Sequence, residues 1–147
     1  MPKIEKITKQ TENPYVNLYL VEGKNKVDHP FRYYVASRAK TMEALKIKTK
    51  KNTPDGVLMY SLYGEKRDKI VLVRQYRVSI DDYIYEFPAG LVESGEEFHE
   101  AAVREMHEET GLTFHPLKVD PCYEKPFFTT IGMTDEACSA VYGWGGG

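Results

Sequence analysis

Cysteine is scarce. Cys122 and Cys138 are the only two in 147 residues, and neither stands in a metal-ligating spacing. A disulfide between them is allowed but unneeded, and two reduced thiols in a cytoplasmic protein are expected. An excess of positive charge is also lacking. Twenty lysines and arginines face 22 acidic residues, for a net charge of −2, which argues against a nucleic-acid partner bound through a basic surface. No apolar run approaches the ~20 residues that span a bilayer, so no membrane association is expected. The N-terminus, Met1-Pro2-Lys3-Ile4, lacks a signal-peptide core. What remains is a chain of one-domain length, large enough for a hydrophobic core.

Along the chain, residues 1–13 are charged and polar, with room for one short strand. Tyr15 to Val21 alternates as a strand does, Gly23 to Lys26 reads as a turn, and Phe31 to Ala36 reads as a second strand. These predict a small antiparallel sheet over residues 1–47, which needs something to pack on. Thr41 to Leu45 suits one helical turn. Lys46 to Lys51 is a basic run without interleaved aromatics, so it reads as a solvated loop or a lysine-protected edge rather than a nucleic-acid contact. Asn52 to Gly56 is a turn. Val57–Tyr63 and Lys69–Arg77, separated by a turn at Gly64–Asp68, are nearly continuous apolar runs and predict central strands covered on both faces. A further strand spans about 83–87. Strand-like sequence on both sides of a long helix predicts an α/β fold with a mixed sheet.

That helix is the most informative stretch. Ser94 with Glu97 suggests a capping box, and Gly111 a left-handed C-terminal cap, which predicts a helix over about 95–110. At ~100° per residue, Phe98, Ala101, Ala102, Glu105, Met106 and Glu109 share a broad face, with Glu108 at its margin. Glu100, Arg104 and Glu108 can pair along the flank. Glu96, Glu97 and Glu100 read as a solvated acidic stripe. Glu105 and Glu109 are different. Two carboxylates stacked one turn apart beside Phe98 and the alanines repel, and desolvation deepens the cost. Either one keeps its proton or a cation sits between them. With Glu108, they make an all-oxygen set suited to Mg²⁺.

Gly90, Glu96 and Arg104-Glu105-Met106-His107-Glu108-Glu109-Thr110-Gly111-Leu112 match the Nudix box, G-x5-E-x7-R-E-U-x-E-E-x-G-U, at every fixed position. With residue frequencies of about one in twenty, seven specified identities arise by chance at a given start far less than about once in a million. The chain thus resembles the Nudix hydrolases. The resemblance implies an α/β/α sandwich with a mixed sheet, occupying residues 48–147 behind the N-terminal sheet of residues 1–47. It implies Mg²⁺ (or Mn²⁺) held by Glu105, Glu108 and Glu109. It also implies an arginine, Arg104, that orients a glutamate, and a Glu96 that supports the loop–helix geometry.

Glu86-Phe-Pro-Ala-Gly90 and Arg74-Gln-Tyr-Arg77 resemble the ADP-ribose pyrophosphatase branch. That resemblance makes the Ala89 carbonyl a metal ligand and Arg77 a nucleotide contact, and it implies a homodimer built through the N-terminal sheet. Pro126 to Glu136 resembles the branch's loop after the helix, with Glu136 hydrogen-bonded to the terminal ribose. Thr130-Ile131-Gly132 departs from the serine-proline-glycine turn usual there. The implied reaction is metal-dependent hydrolysis of a nucleoside diphosphate sugar, ADP-ribose giving AMP and ribose 5-phosphate. Another nucleotide sugar, or a non-catalytic nucleotide-binding module, is the alternative. The branch's general base lies on a loop beyond the position of Glu136. The run Gly145-Gly146-Gly147 reads as the middle of a loop, so the C-terminal part of the fold is expected to be incomplete. Otherwise the base comes from Glu93, Glu108 or another residue.

Overall fold

The computed structural model describes all 147 residues, and the chain divides into two compact units. One comprises residues 1–53 with 128–136, the other 54–127 with 137–147.

The first unit carries a three-stranded antiparallel sheet in the order β1 (Lys3–Lys9), β2 (Asn17–Lys24), β3 (Pro30–Ser37). The predicted turn at Gly23–Lys26 falls later. Gly23 and Lys24 stay in β2, paired with Phe31 and Pro30, and the reversal is closed by Asn25, whose side chain accepts from the Val27 and His29 amides. β1 lies so close to Gly23 that a Cβ there would sit 2.1 Å from the Lys3 carbonyl oxygen. One face of this sheet buries Ile7, Tyr19 and Val21 against Leu45, with Phe31, Val35, Met42 and Ile47 around them. Met42–Ala44 form a 3-10 turn. The basic run is neither loop nor edge strand: Lys46–Thr49 make the one-turn helix α1, ended by Lys50 in the left-handed region.

The second unit is built on a mixed sheet. β4 (Gly56–Tyr63) runs parallel to β11 (Ala137–Gly146) and antiparallel to β5 (Lys69–Ile70) and β8 (Ala89–Leu91). β9 (Thr113–Pro116) pairs antiparallel with the far edge of β11, where the two-residue β10 (Phe127–Phe128) also lies. The glycines near the C-terminus are thus strand, not loop. Gly143, Gly145 and Gly146 lie in β11 and pair with β9. A Cβ at Gly143 would meet the His115 carbonyl oxygen at 2.4 Å, so the missing side chains are what let β9 close on β11.

Helix α2 (Phe98–Thr110) packs Ala101, Ala102 and Met106 on Val57, Met59 and Val141 of this sheet, with Phe114 beside them. Burying Met106 alone is worth roughly 1.5–3 kcal/mol. No other helix exceeds four residues. The expectation of two central strands holds for β4 and fails for 69–77. After Ile70 the chain leaves the sheet, and β6 (Val73–Arg77) pairs only with β7 (Asp82–Glu86) in a separate ribbon. Leu72, Tyr76, Val78, Tyr83 and Tyr85 stay exposed there. An apolar run alone does not tell a central strand from a ribbon, because the pairing partner decides which faces are covered.

Candidate active site

The site begins at the turn before α2. Gly95 takes φ = +78°, a left-handed conformation that no helix continues through. The helix therefore starts at Phe98, three residues later than predicted. Its cap is Glu97, not Ser94. The Glu97 carboxylate accepts from the His99 and Glu100 amides, satisfying donors that the first turn leaves open. Gly111 closes the other end as expected, its N–H donating to the His107 carbonyl. The delayed start leaves Glu96 outside the helix, where it can face Arg104.

Arg104 is the hub. Its Nε and Nη2 donate to the two oxygens of Glu96 at 2.8 and 2.9 Å. Nη1 donates to Glu105 Oε1 at 2.9 Å and Glu108 Oε2 at 3.2 Å, and Nη2 also donates to the Leu91 carbonyl at 3.1 Å. Five contacts match the five N–H groups of a guanidinium, a set that lysine cannot reproduce. The Arg104 hydrogen bonds, helped by the Glu93 amide, pull the Glu96 carboxyl down to about 2. Glu100 is not a partner, so of the expected flank series only Arg104–Glu108 forms.

Glu105 lies over Gly90, where a Cβ would stand 2.0 Å from the carboxyl carbon. Its side chain keeps only 15% of its surface exposed. Glu109, one turn on, accepts from the Ala89 amide at 3.3 Å. Desolvation pushes its carboxyl above the ordinary range. The Ala89 N–H opposes that shift, the charges of Glu105 and Glu86 add to it, and Arg77 offsets part. The charge of Glu105 thus acts in the predicted direction, second to desolvation. Ala89 opens β8, held on β4 opposite Leu58, which brings its backbone beside α2.

These residues offer only hard oxygen donors, and the Glu105–Glu109 pair has a deficit of positive charge. Both observations fit a divalent cation of the Mg²⁺ type. No three acidic, histidine or cysteine side chains converge into a ready cage. Arg104 holds Glu108 and one oxygen of Glu105 instead.

Arg77 lies in the same unit, and its Nε and Nη2 grip Glu86 at 2.8 Å each. Glu136 belongs to the other unit, where it accepts from Arg38 Nε at 2.8 Å and sits 3.4 Å from Thr129 Oγ1. Glu93, a candidate base, is an exposed loop residue 3.8 Å from Arg104. Sequence reasoning missed the Arg77–Glu86 and Arg38–Glu136 pairs, because separations of 9 and 98 residues carry no helical or hairpin period. It also missed the bridge of His99 to Glu97 and Glu124, which pins the 121–124 turn to the start of α2.

The NUDIX domain model matches residues 52–142. The chain belongs to the Nudix family. Among curated relatives, this Nudix chain is 35% identical over 80 residues to the ADP-ribose pyrophosphatase of Saccharomyces cerevisiae, covering 53% of this chain and 35% of that protein. It is 44% identical over 68 residues to the ADP-ribose pyrophosphatase of Bacillus subtilis, covering 46% and 35%. It is 36% identical over 87 residues to the ADP-sugar pyrophosphatase of Mus musculus, covering 57% and 40%. The matched stretch thus spans 35–40% of the length of these relatives. Among solved structures, a crystal structure of ADP compounds hydrolase superposes with a TM-score of 0.71 over 97% of this chain and 66% of that one. At 19% identity, that likeness concerns the fold alone. The α/β class and mixed sheet expected of a Nudix protein are those observed.

Proposed function

We propose that this chain hydrolyses the pyrophosphate bond of a nucleoside diphosphate sugar in the presence of Mg²⁺ or Mn²⁺, with ADP-ribose giving AMP and ribose 5-phosphate. The observation that carries the reading is the Arg104 hub. It aligns Glu105 and Glu108 on the face where Glu109 meets the Ala89 backbone. The curated relatives named for ADP-ribose or ADP-sugar cleavage support the substrate class.

The residues that would hold the cation are Glu105, Glu108, Glu109 and the Ala89 carbonyl. Bound there, a divalent ion supplies charge neutralisation for the diphosphate and acidifies water for attack at phosphorus. The chain's own contributions are separable. Arg104 fixes the rotamers of Glu105 and Glu108, limiting the reorganisation needed when substrate arrives. Arg77 offers a planar fork to diphosphate oxygens. Glu136 offers acceptors for vicinal ribose hydroxyls. Glu93 and Glu108 are exposed carboxylates within the box and stand as candidate proton acceptors. Residues 1–47 serve as a dimerisation sheet, with the Nudix domain following from residue 48. A cytoplasmic setting belongs to the same reading. No helix is long and apolar enough to cross a membrane.

The test is product chromatography on the purified protein with ADP-ribose and a panel of nucleotide sugars, with Mg²⁺, with Mn²⁺ and with EDTA. AMP and ribose 5-phosphate formed only with metal are expected. No product from any nucleotide sugar overturns the reading. Light scattering reads the dimer directly, and a monomeric mass at micromolar concentration overturns that part.

A further inference from the structure

The ribbon β6–β7 carries an arrangement that the box does not explain. Arg77 lies at its tip, its Cα opposite Asp82, whereas Glu86 lies at its base, opposite Val73. By the alternation of strands, Val73, Gln75, Arg77, Asp82, Ile84 and Glu86 share one face. Four residues of strand, roughly 13 Å, separate the Arg77 and Glu86 positions along that face. The two side chains meet in a bidentate pair at 2.8 Å per bond only because the arginine lies back along the ribbon. The base is also where a cavity of about 180 Å³ opens, lined by Val73, Arg74, Gln75 and Glu109. Glu109 thus lines the same cavity as the base of the ribbon, the end at which Glu86 holds the guanidinium.

We propose that Glu86 is a positioning residue, drawing the Arg77 guanidinium from the ribbon tip to its base so that the fork stands at the cavity that Glu109 lines, ready for an anionic diphosphate. The inference rests on the hydrolase reading above and assigns a role to a residue outside the box. Without Glu86, the Arg77 side chain is free to extend from the tip into solvent, and its charge is lost to the site. An ordinary surface ion pair, by contrast, would alter the stability of the ribbon and leave substrate affinity alone.

The experiment is a double-mutant cycle of Glu86→Gln and Arg77→Ala with ADP-ribose and Mg²⁺, the fold of each variant being checked by circular dichroism. Each single substitution is expected to raise KM about tenfold, as loss of a charge-assisted hydrogen bond does, with kcat held within about threefold. The double variant is expected to be no worse than Arg77→Ala alone, because both changes remove the same contact. The Arg77 Nε–H resonance is expected to be resolved in the wild type, where Glu86 accepts it, and to collapse toward the solvent-exposed arginine signals in Glu86→Gln. An unchanged KM in Glu86→Gln, or a double variant whose KM is the product of the two single effects, overturns the positioning role while hydrolysis stands. A wild type without turnover on any nucleotide sugar overturns the hydrolase reading first, and this assignment with it.

Discussion

Gly90→Ala is the most telling single perturbation of this molecule. The added Cβ would stand 2.0 Å from the Glu105 carboxyl carbon and 2.4 Å from both its Cγ and Oε1, where ordinary contact begins near 3.4 Å. Glu105 has to retreat by more than about 1 Å. It cannot do so freely, since it is largely buried and held by Arg104 at 2.9 Å. Overpacking of this kind costs about 1–3 kcal/mol, which for a chain of this size lowers Tm by roughly 3–9 °C. The effect on catalysis should be larger. A displacement of about 1 Å at a positioned group can reduce turnover by ~10²-fold. Scanning calorimetry and steady-state hydrolysis of ADP-ribose read the two effects separately. Truncating the obstacle tests the cause: Gly90→Ala with Glu105→Ala should recover Tm relative to Gly90→Ala alone while remaining inactive. A Gly90→Ala protein with wild-type kcat/KM and Tm would refute the close approach of β8 and α2 on which the site is built.

Other perturbations follow from the same electrostatics. Glu109→Gln should reduce turnover strongly while leaving metal-free Tm at neutral pH equal or higher, because the desolvated carboxylate it replaces is held above its ordinary pKa and destabilises the fold when ionised; wild-type rates in the variant would remove Glu109 from the metal set. Burial disfavours charge on His99, but its hydrogen bonds to Glu97 and Glu124 outweigh that and raise its pKa. The stability it contributes is thus complete below its ordinary value near ~6.5 and is lost as pH rises through the raised folded value. Denaturant titrations at several pH values should show His99→Gln removing that slope, and parallel curves for the two proteins would refute the bridge. Glu96 acts in the opposite sense. With its carboxyl depressed to about 2, its contribution is present above the ordinary value of 4.5 and fades as pH falls toward 2. Acid unfolding monitored by circular dichroism should therefore begin at higher pH in Glu96→Gln, and coincident curves would count against the Arg104 fork.

The candidate site of this protein was largely legible in one dimension because its acidic pattern is local. Glu105, Glu108 and Glu109 lie within a turn and a quarter of one helix, and helical geometry alone puts two of them in conflict. The C-terminal cap at Gly111, the buried face of Ala101, Ala102 and Met106, and the strand β4 were legible for the same reason: each depends on a period of 3.6 or 2 within a few residues. Periodicity could not choose between two acceptable caps three residues apart, Ser94 and Glu97. The left-handed Gly95 settled the start of α2 and in doing so freed Glu96 for Arg104. Nor could it tell the exposed ribbon of β6 and β7 from a central sheet, or recognise a glycine-rich tail as the strand beside β4 and β9, because those outcomes depend on partners distant in the chain. Sequence by itself determined which residue types could ligate, cap and fill the core. Only the tertiary structure decided which carboxylates Arg77 and Arg38 hold, because Arg77–Glu86 and Arg38–Glu136 form across chain separations that no local rule spans.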